Sequence, residues 1–420
     1  MILTGLIIFI STILLVHSLF TLLTMAFSWN DPHTLHLRKS PKQFLQPFFS
    51  FTLLVPVRNE ASVIADTLKA MTMIRYPKEL CEVFLLCRQD DEETLQAIQH
   101  ASTSMNIENV KLVIVGEDID NKPKALNIGL SYAKNQVVAV FDAEDEPHPE
   151  ILNVVNTMLQ QTKSDVVQSG VQLMNYTSRW FSALNVLEYY FWFKSALHFF
   201  TVVGVVPLGG NTVFIKRGML EKVGGWDENM LTEDADLGIR LSLEGAKVSV
   251  VYDEQHVTRE EAPSTIAQFI KQRTRWNQGF LQIFFQFNWL RLPGFQRKAL
   301  TAYLLFMPVI QGLWVIYLPL TLLANFSLAL PVGWAIFSLL PGYVLMTQFV
   351  LYNYGLYEFT RDYKYKYSIL LIPLLFFSFF PYQVLLSIAA IRAACRLITG
   401  EGAWEKTAHL NIHRSLARAS

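Results

Sequence analysis

Apolar residues are distributed in two ways along this 420-residue chain: long unbroken runs near both ends, and short alternating segments between them. Residues 2–27, ILTGLIIFISTILLVHSLFTLLTMAF, hold no charged side chain and exceed the ~20 apolar residues that a helix needs to cross a bilayer. A cleaved signal peptide would begin with basic residues and end a shorter apolar core in small ones, so this run predicts a retained span. Residues 301–327 and 331–356 are separated by an uncharged Leu-Pro turn and predict a helical hairpin. A fourth apolar stretch, 367–391, carries Pro373 and Pro381.

The middle of the chain alternates strand-like and helix-like patterns. FTLLVPVRNE (51–60), EVFLLC (82–87), VKLVIVG (110–116) and VVAVFDAED (137–145) read as strands. Helical spacing follows each of them, through residue 74, through about residue 104, over KPKALNIGLSYAK, and over 149–162. Repeated strand–helix units imply an α/β domain with a parallel sheet and right-handed crossovers. Ligands of such sheets bind at the carboxyl ends of the strands. Polar clusters stand there: Arg58-Asn59-Glu60, Asp90-Asp91, and Asp142 to Glu146. Neither GxGxxG nor GxxxxGK[ST] occurs, which excludes the dinucleotide fingerprint and the P-loop.

Composition adds little beyond this. Hydrophobic residues make up 52% of the chain and the mean hydropathy is +0.28, as expected if part of it lies in lipid. Zero formal net charge points to no nucleic-acid partner. Cys81, Cys87 and Cys395 are scattered, so neither a disulfide framework nor a zinc site is indicated, and free thiols suit a reducing compartment. Lys and Arg near the span ends set the orientation. Arg38, Lys39 and Lys42 follow the first span, and Arg291, Arg297 and Lys298 precede the second. The middle domain is therefore expected in the cytoplasm. The loop with Arg361, Lys364 and Lys366 faces the same side. A single crossing by 367–391 would put Arg392, Arg396, Lys406 and Arg414 outside, so a break at Pro381 is expected to return the tail to the cytoplasm.

The four carboxylates Asp142, Glu144, Asp145 and Glu146 repel one another at the end of a greasy strand. An acidic turn opening the next helix would be one reason for them. A cation site is the other, because Mg²⁺ is commonly held by one or two carboxylates plus substrate phosphates. Two further motifs bear on the choice. WDENMLTEDADLGIRLSLEG (226–245) places Thr232-Glu233-Asp234 at a helix start, with Leu237, Leu241 and Leu243 on the apolar face. IKQRTRWNQG (270–279) places Gln272, Arg275 and Trp276 on a basic and aromatic stretch.

A DxD-like cluster, then TED, then QxxRW ahead of membrane spans resembles the membrane-bound family 2 glycosyltransferases of the cellulose, hyaluronan and poly-N-acetylglucosamine synthase type. The resemblance covers roughly residues 50–285, and the tail WEKTAHL (404–410) is similar to a bacterial subgroup of these enzymes. It implies a GT-A glycosyltransferase domain over 45–262, a first transmembrane helix within 1–30, an amphipathic interfacial segment over 263–295, transmembrane helices over 299–395 and a cytoplasmic tail over 396–420. It also implies a multi-pass protein of the bacterial inner membrane.

Carried over residue by residue, the resemblance makes Asp234 the general base that deprotonates the acceptor hydroxyl. Asp142, Glu144 and Asp145 would hold Mg²⁺ or Mn²⁺, with Glu144 standing where the family has its second aspartate. Pro56, Arg58, Glu60, Lys124, Asp142, Gln272 and Arg275 would bind a nucleotide sugar, with Lys122 beside Lys124 as the other candidate. Gly209, Gly210, Glu233 and Trp276 would face the acceptor. Many members carry an acidic pair directly after the second strand; here Cys87 and Arg88 stand there, which moves the expected base contact to Asp90 or Asp91. The aromatic segment 180–206 is expected as an interfacial or acceptor-lining helix. The function so implied is inverting transfer from a nucleotide sugar, with UDP as the leading nucleotide, to a growing β-linked polysaccharide. Transfer of one sugar to a polyprenyl-phosphate or other lipid acceptor is the alternative. Three or four spans make a thin channel wall, so an accessory subunit or a homo-oligomer is an expected partner beside the bilayer.

Overall fold

The computed structural model describes residues 2–30, 39–105, 109–117, 119–327, 330–403, 405 and 414. Arg38, Trp404 and Lys406 to Leu410, which carried parts of the topology and tail expectations, lie outside the described residues. Helix α1 (Ile2–Asn30) is followed by an extended segment that the Asn156 side chain holds to the α/β domain through the Phe48 and Phe49 amides. The domain then alternates β1 (Phe51–Val57), α2 (Ile64–Thr72), β2 (Cys81–Arg88), α3 (Glu92–Met105), β3 (Val110–Val115), α4 (Lys122–Tyr132), β4 (Val137–Val140) and α5 (Ile151–Thr162). After it come β5 (Val166–Ser169), β6 (Val171–Leu173), α6 (Ser182–Phe191), α7 (Leu197–Val203), β7 (Val213–Lys216), α8 (Arg217–Lys222), α9 (Glu233–Leu243), β8 (Val248–Val251) and β9 (Thr258–Glu260).

Seven strands form one sheet in the order β3-β2-β1-β4-β7-β5-β8, and β6 pairs with β9 beside it. The first four strands are parallel, as the alternating pattern predicts. The sheet is not parallel throughout, because β7 runs against both β4 and β5. Its Val213-Phe214-Ile215 triplet is buried on both faces like its neighbours, so apolar pattern alone carries no direction. Burial on both faces divides the core in two. Phe51, Leu53 and Val55 of β1 face α2, α3 and α5, while Leu54 and Leu86 face α4 and α9.

Four long helices remain: α10 (Ile266–Gln286), α11 (Phe295–Ser327), α12 (Val332–Asp362) and α13 (Leu371–Thr399). Among the described residues, four helices are long and apolar enough to cross a membrane, namely Thr4–Trp29 within α1, and α11, α12 and α13. The break expected at Pro381 does not occur: α13 runs through it as one helix. Pro381 lacks only the amide that would bond one turn back, and a helix packed on its neighbours tolerates that loss. The C-terminal half of α13 lies along α10, with the Phe269 and Tyr382 rings tilted against each other at 5.3 Å and the Thr274 hydroxyl donating to the Ala389 carbonyl. The segment 180–206 is α6, one π-helical turn over Trp192–Ala196, and α7, too interrupted to span.

Candidate active site

Every strand end of the parallel half opens into one cavity of about 700 Å³. At the end of β1, Pro56, Arg58 and Glu60 line it. Asn59 turns the chain there with φ 53°, a left-handed value that Asn tolerates better than most residues. At the end of β4, Asp142 and Glu144 reach its wall. Gly209 and Gly210 enter from the loop before β7, and Glu233 and Asp234 from the first turn of α9. Gln272, Arg275 and Trp276 come from α10, whose Thr265 side chain caps its amino end by accepting from the Gln268 amide at 3.2 Å.

Lys122 joins the two acidic motifs. Its ammonium pairs with the Asp142 carboxylate, donates to the Gly210 carbonyl at 2.9 Å, and lies 3.9 Å from Glu233. Burial pulls its pKa down, but Asp142 and Glu233 outweigh that and hold it above the usual lysine value. Lys124, the residue expected in this place, points away instead and pairs with Asp120 at 2.9 Å. The reason is local: the Asn121 side chain caps α4 at the Lys124 amide, so Lys122 at the first helical position faces the sheet end and Lys124 the rim.

Close approach of backbone places the acidic pair of α9. A Cβ on Gly210 would stand 3.0 Å from the Asp234 carboxylate, and one on Gly279 of α10 would stand 2.3 Å from the Thr232 hydroxyl. Two glycines thus let the loop before β7 and helix α10 close on the start of α9. Burial raises the Asp234 carboxyl above its ordinary value. Burial and the neighbouring Asp234 push Glu233 up to about 7 against the pull of Lys122 and Arg275. The pair exchanges influence and titrates as a unit.

Besides Lys124, three expected site residues lie off the cavity. Asp145 is fully buried and turned inward: it accepts from the Asp142 amide at 2.8 Å and from the Asn211 side chain at 2.8 Å, so it shapes the acidic turn and offers no oxygen to a ligand. Asp91 accepts from the Asn59 amide at 2.5 Å and the Thr94 amide at 3.3 Å, capping α3 and fixing the β1 turn. Asp90 is tied to Arg88 in an ion pair. On this edge of the cavity wall the chain presents Arg88 where an acidic pair was expected.

Other cavity residues escaped sequence reasoning. Arg273 sits 4.7 Å from the Trp276 ring, pairs with Glu188 of α6, and donates to Asn185 at 2.6 Å. Its guanidinium lies over the face of Trp276. Only its place beside Gln272 hinted at this, and Glu188 lay hidden among aromatic residues.

Among the described residues no three His, Cys, Asp or Glu side chains converge on one point. Of the acidic turn's carboxylates, Asp142 and Glu144 line the cavity. Two cavity carboxylates completed by a diphosphate would suit Mg²⁺ or Mn²⁺, with the Lys122 ammonium as a competing positive charge at Asp142.

The sequence model of Glycosyltransferase like family 2 matches residues 47–279, more than half of the chain. The chain belongs to this family. The family 2 chain is 26% identical over 380 residues to the "Probable glycosyltransferase YdaM" of Bacillus subtilis, covering 87% of this chain and 88% of that one. It is 28% identical to a Nostoc "Beta-monoglucosyldiacylglycerol synthase" over 56% of this chain, but that match spans only 49% of the Nostoc protein. With a Staphylococcus epidermidis "Poly-beta-1,6-N-acetyl-D-glucosamine synthase" it shares 24% identity over 65% of this chain and 64% of that one. The solved mannosyltransferase PcManGT of Pyrobaculum calidifontis, in complex with GDP-Man and Mn²⁺, superposes with a TM-score of 0.56 at 18% identity, covering 94% of this chain and 99% of that one, which bears out the GT-A fold.

Proposed function

We propose that this family 2 glycosyltransferase extends a β-linked glycan and leads it into the membrane domain. The observation that carries the reading is the cavity's second limb. Below Trp276 it continues between the spans, lined by His17 and Thr21 of α1, Tyr303 and Gln311 of α11, Gln348 of α12 and Gln383 of α13. Polar side chains at membrane depth are costly unless they meet polar partners, and here they line a cavity rather than face lipid. A sugar chain offers hydroxyls to such a wall; an acyl chain does not.

In the proposed reaction, an acceptor hydroxyl oxygen attacks the anomeric carbon of a nucleotide sugar. The bond from that carbon to the diphosphate oxygen breaks, and the hydroxyl proton passes to Asp234. One displacement inverts an α-linked donor to a β-linkage. Arg275 and Gln272 reach toward the diphosphate, and Lys122 steadies both it and Asp142. Trp276, packed by Arg273, offers a stacking face to the acceptor sugar. Asp142 and Glu144 would hold a divalent ion, whose positive charge would offset that of the leaving diphosphate. In this reading the catalytic domain faces the cytoplasm and the spans lie in a bacterial inner membrane, in keeping with the basic residues at the span ends.

A second reading, one sugar added to a lipid, is favoured by the cavity's blind outer end. The lining stops at Trp314, and one turn on Tyr317 is fully buried, bonded to the Ser338 carbonyl and to Ser11 at 2.9 Å. Thr21→Trp separates the two readings, because Thr21 lines the intramembrane limb and a larger side chain there is expected to narrow it. Glycan made by this variant in nanodiscs is expected to shorten while the first transfer proceeds. Label that extracts into organic solvent as a glycolipid, unchanged by the substitution, would contradict the polymer reading.

A further inference from the structure

Behind the acidic turn, on the side away from the cavity, lies a cation from the far end of the chain. Arg414 is 6% exposed. Its guanidinium donates to the carbonyls of Glu144 at 3.0 Å, Asp145 at 2.9 Å and Val63 at 3.3 Å, and to the Thr67 hydroxyl at 3.1 Å. Thr67 in turn donates to the Ala143 carbonyl. Three consecutive carbonyls of the turn, 143 to 145, are therefore held by α2 and by one arginine. Burial disfavours the charge of that arginine and outweighs the support it receives from the carboxylates of Asp66, Glu146, Asp145 and Glu144.

We propose that Arg414 is a positioning residue: it braces the Asp142–Glu146 turn from behind, so that its seating against the turn sets donor affinity. The physical need is plain from the sequence. Four carboxylates crowd five positions, and the turn must present two of them forward without swinging apart. Lys122 offsets their charge in front. Asp145 folds back on the Asp142 amide within the turn. Arg414 supplies the charge behind, and its planar donor fork fits several carbonyls at once as an ammonium cannot. The contact also places Arg414 on the same side as the catalytic domain.

The proposal rests on reading Asp142 and Glu144 as the donor-side carboxylates. Its test uses the full chain in nanodiscs, titrated with UDP and with GDP in the presence of Mn²⁺. Arg414→Ala is expected to weaken binding of the preferred nucleotide about tenfold, the scale seen when outer supports of a ligand-holding residue are removed. The ligand-free Tm should stay unchanged, saturating nucleotide sugar should restore kcat, and Arg414→Lys should recover part of the affinity. If Arg414→Ala lowers the ligand-free Tm, Arg414→Gln carries the same titration, since it keeps donors for the carbonyls and removes the charge. Unchanged affinity in these variants, with affinity lost in Asp142→Ala, overturns the brace alone. Unchanged affinity in Asp142→Ala as well overturns the donor-site reading with it.

Discussion

Asp234→Asn is expected to lower kcat by about 10²–10⁴-fold, the usual contribution of a general base, while nucleotide-sugar binding persists. The amide keeps the size of the carboxylate and can still sit against Gly210, so the site stays assembled and only the proton acceptor is lost. The wild-type enzyme should report the same group through pH. Burial raises the Asp234 carboxyl above 3.8, and its partner Glu233 lies at about 7. A base must be ionised to act, so activity is lost as pH falls through the raised values, on the acid side of neutrality. A profile of kcat against pH at saturating donor should show this limb, and the residual activity of Asp234→Asn should lack it. Rates that stay level down to about pH 4.5 would place the base elsewhere.

The second large effect concerns the acidic turn. Asp142→Ala and Glu144→Ala should each weaken donor binding in Mg²⁺ or Mn²⁺ far more than in chelator. A charge-assisted contact of about 2 kcal/mol corresponds to about thirtyfold in affinity. Asp145→Asn makes the internal control: its oxygens serve the Asp142 amide and Asn211, so it should lower Tm without a metal-dependent signature. Calorimetric titrations with and without divalent ion measure both. An equal loss in the two conditions would show that the turn acts on the donor without a metal.

How much of this was legible beforehand follows from the range of each interaction. Period and run length sufficed for α1, α11 and α12, and for the four parallel strands, because those elements are set by local burial. The reversed direction of β7 was not legible, since a strand buried on both faces reads alike either way. Neither was the continuity of α13, where tertiary packing on α10 outweighs one proline. Motif spacing brought Asp142, Asp234, Gln272, Arg275 and Trp276 to one cavity. The choice between Lys122 and Lys124 was decided by a single helix cap, and the retreat of Asp91 and Asp145 by their bonds to nearby amides. Contacts across the chain, Glu188 with Arg273 and Arg414 with the acidic turn, leave no trace in local pattern.

The central claim is best tested by the product itself. Purified protein in nanodiscs would receive radiolabelled nucleotide sugars one at a time with Mg²⁺ or Mn²⁺, and products would be sized before and after linkage-specific glycosidases. The account predicts one preferred donor and a glycan of many residues that a β-specific glycosidase degrades. A product of a single sugar on lipid, or an α-linkage, would contradict it.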